Sequence, residues 1–219
     1  EEVFQSHSLQ AVLHFAGHKA AGESVDYPLR YYENNLVSTL NLLLLMEKYQ
    51  VNSLVFSSSA VVYGNSKAAP FKEDLPVDFA INPYGRTKAM IELILEDLAR
   101  RRNEMCIVAL RYFNPLGASK SGLLGENLSN TPTNIMPIIT KVAAGEISYL
   151  SVFGDDYPTK DGTGVRDYLH IEDLAKGHLA ALEYSLNNAG FNIVNLGTGK
   201  GTSVLELIDA FESANNVKI

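Results

Sequence analysis

Apolar residues arrive along this chain in short blocks that alternate with longer amphipathic stretches. Leu9 to Phe15 (Leu-Gln-Ala-Val-Leu-His-Phe), Val51 to Ser58, Ile107 to Tyr112 and Asn192 to Leu196 each read as a buried parallel strand. Between them, Pro28 to Tyr49 reads as one long helix, with Leu36, Leu40, Leu43 and Leu44 at helical spacing. Met90, Ile91, Ile94, Leu95 and Leu98 mark the buried face of a second helix. Strands alternating with helices predict an α/β fold with a doubly wound parallel sheet. From Gly117 to about Val165 the texture changes. Glycine, serine, asparagine and proline are dense up to Pro137, and the helical Ile138 to Ala144 and a strand-like Tyr149 to Phe153 follow. This stretch reads as a lobe inserted at the carboxyl edge of the sheet, where ligands bind in such folds. Gly197-Thr198-Gly199-Lys200-Gly201 is glycine-rich like a phosphate loop but does not fit the Walker pattern. It reads as the turn before a helix capped by Ser203.

Composition narrows the choice. The chain has 219 residues with 46% in the hydrophobic set, enough for one domain or one domain plus a lobe. A net charge of −7 argues against a nucleic-acid partner. The longest apolar run, Leu40 to Met46, is too short to cross a membrane and is broken by Asn41. There is no signal peptide at the start. Cys106 is the only cysteine, so no disulfide forms within the chain, which suits a reducing cytoplasm. Asn127-Leu128-Ser129 fits a glycosylation sequon, read here as chance. No metal is called for.

The candidate chemistry lies between Ser57 and Lys88. A strand ending in Ser57-Ser58-Ser59 delivers hydroxyls to a sheet edge, and Ala60-Val61-Val62-Tyr63-Gly64 follows. Pro83 suits the first turn of a helix, where its missing N–H costs nothing. Tyr84 and Lys88 are then four apart on one helix face. An ammonium beside a phenol favours the phenolate and lowers its pKa from the ordinary value of about 10, making a base of tyrosine. Ser59 can hydrogen-bond the same reacting oxygen. By itself Tyr-x-x-x-Lys is also an ordinary solvated pair, Gly17 an ordinary strand-end turn and Asn34 a surface residue. Arg166 is either a diphosphate clamp or a partner of Asp167 or Glu172.

The combination is more specific than its parts. The serine-ended strand, the Tyr-Gly turn and Tyr-x-x-x-Lys after a proline resemble the extended short-chain dehydrogenase/reductase family, and within it the UDP-glucose 4-epimerases. His14-Phe15-Ala16-Gly17, Gly22-Glu23-Ser24, Arg111-Tyr112-Phe113-Asn114-Pro115 and Asp161-Gly162-Thr163-Gly164-Val165-Arg166-Asp167-Tyr168 agree, and the resemblance covers essentially the whole chain. It implies a Rossmann-like NAD-binding domain from 1–116 and 166–219, with part of a substrate lobe in 117–165. It implies tightly bound NAD and interconversion of UDP-glucose and UDP-galactose through a 4-keto sugar, a step of galactose metabolism. It makes Tyr84, Lys88 and Ser59 catalytic. Phe15, Ala16, Gly17, Lys19, Asn34, Ser57, Ser58 and Phe113 join Tyr84 and Lys88 around the cofactor. Asn114, Asn134, Phe153 on the uracil side and Arg166 join Ser59 and Tyr84 around the UDP-sugar. His18 stands where the family usually has leucine and reads as a tolerated variation. The helices from Pro28 and Pro83 would form the interface of a homodimer.

No Gly-x-Gly-x-x-Gly is present. The family places that turn before the point where Glu1 begins, and the end of its lobe beyond Ile219. The resemblance therefore implies an interior fragment lacking the first strands, inactive alone. Two other enzyme readings remain. A nucleotide-sugar 4,6-dehydratase would carry a carboxylate after the serines, where this chain has Ser59-Ala60. An epimerase of UDP-glucuronate, UDP-xylose or UDP-N-acetylglucosamine stays open, as does a non-catalytic fragment.

Overall fold

The computed structural model describes residues 1–66, 69–77, 80–126 and 134–219; Asn127, Leu128 and Ser129 of the sequon lie outside them. In chain order the elements begin with α1 (Glu2–Ser6), β1 (Ala11–His14), α2 (Ala21–Asp26), α3 (Pro28–Tyr32), a π-helical turn (Glu33–Val37), α4 (Ser38–Lys48) and β2 (Ser53–Ser59). A 3₁₀ turn (Ala60–Tyr63), α5 (Pro83–Arg101), β3 (Cys106–Tyr112), β4 (Asn114–Leu116) and α6 (Ile135–Ala143) follow. The chain continues with β5 (Val165–Arg166), β6 (Tyr168–His170), α7 (Ile171–Asn187), β7 (Gly190–Leu196), β8 (Thr202–Ser203) and α8 (Val204–Asn215). It forms two compact units, Glu1–Tyr112 with Ala175–Leu196, and Phe113–Leu174 with Gly197–Ile219.

The first unit is built on a parallel sheet of order β1-β2-β3-β7. Its strands run through the pleat with side chains alternating between faces. Leu54, Phe56, Ile107 and Ala109 cluster with Ile91 and Leu95 of α5 and with Leu43 and Met46 of α4. Val55, Val108 and Leu110 point the other way and cluster with Ala181 of α7. Both faces of the sheet are covered, so the strands read as continuous apolar runs, as the doubly wound expectation required. The β2–β3 register places Ser58 beside Arg111 and Ser59 beside Tyr112. With the same alternation, Ser58 and Arg111 share the face that α5 covers, while Ser57, Ser59 and Tyr112 share the other.

Several local expectations shift. The helix expected over Pro28–Tyr49 is divided by the π-helical turn, which turns Asn35 inward to complete burial. Leu44 is 63% exposed, and Leu40 and Met90 are also exposed, so the apolar stripes of α4 and α5 are wider than the core they cover. The strand expected at Tyr149–Phe153 is absent; those residues form no strand pairing and Tyr149 and Phe153 lie open to solvent. Local β propensity does not make a strand without a neighbour to complete its hydrogen bonds. The helix expected from Ile138 begins at Ile135. In the second unit β4 pairs with β6 and β5 with β8, and α8 carries the expected Ser203 cap as a full capping box with Glu206. No helix among the described residues is long and apolar enough to cross a membrane.

His14, at the end of β1, is buried with Nε2 2.9 Å from Thr39 Oγ1. Burial, and then the Lys88 ammonium, pull its pKa from 6.5 down to about 4. The unfolded chain therefore binds the extra proton first, and stability present above pH 6.5 is lost as pH falls towards 4, by about 3 kcal/mol at full effect. Urea unfolding midpoints at pH 7 and pH 4.5 are expected to separate less in His14→Gln than in the wild type.

Candidate functional site

The start of α5 is fixed by local chemistry. Asn82 caps it, its side chain accepting from the Gly85 N–H at 2.8 Å, and Pro83 occupies the first turn. Helical geometry then aligns Tyr84, Lys88 and Glu92 at four-residue steps on one face. Each meets the serine-ended tip of β2. The Ser59 hydroxyl lies close enough to the Tyr84 phenol to favour its deprotonated form. Lys88 Nζ donates to the Ser57 carbonyl at 2.6 Å and lies 4.8 Å from the Phe56 ring centroid and 6.0 Å from that of Tyr84. The Ser58 hydroxyl donates to Glu92 Oε1 at 2.5 Å. The Ser57 side chain favours the deprotonated form of Tyr112, and Tyr112 Oη lies 2.5 Å from Nε2 of His178.

Electrostatics at this tip differ from the simple expectation. Burial raises the Tyr84 pKa, and Ser59 offsets it only in part. Burial pulls Lys88 down to about 8, and the Glu92 carboxylate works in the opposite direction. Tyr112 is pushed up to about 12 by burial, against the effect of Ser57. The cost of removing charge from water outweighs the pairing of Tyr84 with Lys88 along the helix.

The turn after β1 lies nearby in the same unit. Phe15, Ala16, Gly17 and Lys19 are exposed there. Gly17 has φ +154°, and a Cβ on it would come within 3.0 Å of Asn35 Oδ1. Asn35 ties this turn to α5: its side chain accepts from the His18 N–H and donates to the His18 carbonyl and to Thr87 Oγ1. Asn34 is exposed and donates to Asn35 Oδ1. An open glycine turn, a phenol, a lysine and serine hydroxyls gathered at the carboxyl ends of parallel strands are a donor set that suits a dinucleotide.

In the second unit, Asn114 and Asn134 line one cleft of about 850 Å³, together with Leu116, Ile135, Tyr168 and Phe211. Arg166 is exposed on β5, donates to the Val165 carbonyl at 2.7 Å and acts on the Tyr168 hydroxyl electrostatically. Its two alternative carboxylates are engaged with other groups. Glu172 pairs with Lys120, and Asp167 accepts from the Thr198 and Gly199 N–H groups. Those amides belong to the glycine run, which the Asp167 carboxylate therefore fills from within. Phe113 is half-buried. Phe153 is 86% exposed and is not among the residues lining the cleft.

The structure thus gathers Ser57, Ser59, Tyr84 and Lys88 at one tip and Asn114 with Asn134 in one cleft. Ser58, expected at the cofactor, is turned to Glu92. Glu92, Arg111, Asn35 and Tyr112 received no role from the sequence. Glu92 carried a legible signal: a charged residue one turn beyond Lys88, between the apolar Ile91 and Leu95.

Comparison with known proteins places the chain in a family and a fold. The profile of the NAD dependent epimerase/dehydratase family matches residues 1–197. The chain is 54% identical over 219 residues to a UDP-glucose 4-epimerase of Bacillus subtilis, covering 100% of this chain and 64% of that protein. A crystal structure of UDP-glucose-4-epimerase from Stenotrophomonas maltophila, with bound NAD and formylated UDP-arabinopyranose, superposes with a TM-score of 0.96 at 49% identity, over 100% of this chain and 65% of that one. The Bifidobacterium longum UDP-glucose 4-epimerase in complex with NAD+ and UDP gives a TM-score of 0.95 at 50% identity, with the same coverage. The chain therefore spans somewhat less than two thirds of the length of these relatives.

The approach of α5 to Ala80 and to the 3₁₀ turn that follows β2 depends on Gly85. A Cβ there would lie 2.6 Å from Ala80 Cβ and 3.2 Å from both Val61 methyl carbons. Gly85→Ala is expected to lower stability by about 1–3 kcal/mol through overpacking, read as a fall in the thermal unfolding midpoint.

Proposed function

We propose that this chain, which belongs to the NAD dependent epimerase/dehydratase family, interconverts UDP-glucose and UDP-galactose with tightly bound NAD. The observation that carries the reading is the placement of Tyr84 and Lys88 at successive turns of α5 against the serine-ended tip of β2, with Lys88 Nζ held on the Ser57 carbonyl at 2.6 Å and 6.0 Å from the Tyr84 ring centroid. The names of the similar proteins support the substrate class. The turn of Phe15, Ala16, Gly17 and Lys19, with Asn34, Ser57, Tyr84, Lys88 and Phe113, would hold the cofactor. Bound NAD supplies oxidation and reduction at carbon 4 of the sugar.

The chain's own residues manage the proton and the orientation. In its phenolate form Tyr84 takes the proton of the sugar 4-hydroxyl as the 4-keto sugar forms, and returns it when the opposite face is reduced. Ser59 gives the 4-oxygen a second hydrogen-bond partner. Lys88, an ammonium below its pKa of about 8, favours the phenolate that must form on Tyr84 before each proton is taken. In the second unit, Asn114 and Asn134 would engage the nucleotide end of the substrate, and Arg166 its diphosphate. Phe153 is assigned to the uracil side on the resemblance alone.

We further assign the intact enzyme to the cytoplasm and to a homodimer of two-fold symmetry. Leu40 and Leu44 on α4, and Met90 and Leu93 on α5, are exposed large apolar side chains that a second copy would cover. Light scattering at micromolar concentration should give twice the monomer mass; a monomer would remove the assignment. Tyr84→Phe in the intact enzyme should cut turnover at least ~10²-fold, the usual scale for a lost general base, with a much smaller change in substrate affinity. Steady-state conversion of UDP-glucose checks this, and near wild-type turnover would exclude Tyr84 as the base.

A further inference from the structure

Beyond the residues assigned above lies a buried ion pair with no role yet. Glu92 is 3% exposed and Arg111 1%. They meet in a fork: Arg111 Nε lies 3.1 Å from Glu92 Oε1 and Nη2 lies 2.6 Å from Oε2. The fork is held from every side. Ser58 donates to Glu92 Oε1 at 2.5 Å, and the guanidinium carbon of Arg111 lies 4.7 Å from the Tyr63 ring centroid. Arg111 Nη1 donates to the Glu73 carbonyl at 3.4 Å, and Tyr63 Oη donates to Asn195 Oδ1 at 2.6 Å. The register explains the convergence, because Ser58 and Arg111 are paired neighbours on the α5-facing side of the sheet.

We propose that Glu92, clamped by Ser58 and Arg111, is a positioning residue that keeps Lys88 charged beside Tyr84. Tyr84, Lys88 and Glu92 sit at successive turns of α5, and the serines of β2 meet all three: Ser59 takes Tyr84, Ser57 takes Lys88 and Ser58 takes Glu92. Glu92 touches neither a reacting atom nor a ligand, so its effect on chemistry passes through Lys88. Burial drives the Lys88 ammonium towards its neutral form, and the Glu92 carboxylate opposes that drive. The other titratable and charged groups around Lys88 do not substitute for it. His14 on β1 stays uncharged near neutral pH, since its pKa is about 4. Tyr84 on α5 and Tyr112 on β3 are phenols held neutral by burial. Arg111 on β3, behind Glu92, is a cation. The clamp matters because the guanidinium fork and the Ser58 hydroxyl fix both carboxylate oxygens of Glu92 one turn from Lys88.

This inference rests on the proposed role of Lys88, but its test does not. The titration of Lys88 is followed through its ε-carbon resonance in protein labelled with carbon-13 lysine, the signal being assigned with Lys88→Arg. In Glu92→Gln the Lys88 titration should move to lower pH by about 0.5 unit or more. A smaller shift, or none, overturns the proposal. If Glu92→Gln leaves Arg111 too costly to fold, the paired variant Glu92→Gln/Arg111→Gln is read instead; its Lys88 titration should still move to lower pH, by less than in the single variant because a more distant cation is lost as well, and an unmoved or raised titration overturns the proposal. Turnover of UDP-glucose against pH is measured in parallel on the intact enzyme, and its alkaline limb should move with the titration. A wild type without turnover overturns the proposed function while the titration is still read. Turnover with an unmoved titration overturns only the role of Glu92.

Discussion

A carboxylate removed from water costs several kcal/mol unless another charge and enough hydrogen bonds meet it. Glu92 lies in the core of the first unit under that constraint, and much of the candidate site follows from how it is met. The Arg111 fork and the Ser58 hydroxyl satisfy both of its oxygens. For all three groups to converge, β2 and β3 must pair in one register and α5 must lie across them with one rotation. A one-residue slip of β2 would turn Ser58 to the opposite face and bring Ser57 and Ser59 beneath α5. The fork therefore acts as a lock on the same register that delivers Ser59 to Tyr84 and the Ser57 carbonyl to Lys88.

The site sits where burial and charge oppose one another. Tyr84 and Lys88 are packed closely enough that desolvation dominates both, raising the phenol and lowering the amine. The two shifts move the groups apart in proton affinity and reverse their order: in water the amine holds its proton slightly more tightly than the phenol, whereas here Lys88 falls to about 8 while Tyr84 rises. The same packing keeps His14 neutral, so the cation at Lys88 faces no second positive charge from β1 near neutral pH.

The π-helical turn at Glu33–Val37 makes a second link between distant segments. It brings Asn35 into the core, where one side chain bonds the Gly17–His18 turn and Thr87 of α5 together. The turn that would line a dinucleotide and the helix that carries Tyr84 are thereby joined through a single amide. An extra residue in a helical turn costs regular hydrogen bonding, and such turns recur where a side chain must be re-aimed. Asn114 and Asn134 are organised separately, within the second unit and its own cleft.

The sequence by itself determined the strand blocks, the two amphipathic helices, the Asn82-Pro83 start of α5 and the spacing of Tyr84 and Lys88. It also carried the Ser203 cap, because caps and helical spacing are set within a few residues. Tyr149–Phe153 shows the limit of that reasoning. Its apolar texture matched a strand, but pairing depends on a neighbour that local sequence does not supply. Tertiary structure alone decided that Ser58 turns to Glu92 rather than towards a cofactor, since the side of the sheet is fixed by register with β3. It also decided that burial, and not the Lys88 charge, sets the direction of the Tyr84 shift, because desolvation depends on everything packed around the group and not on the residue four positions away.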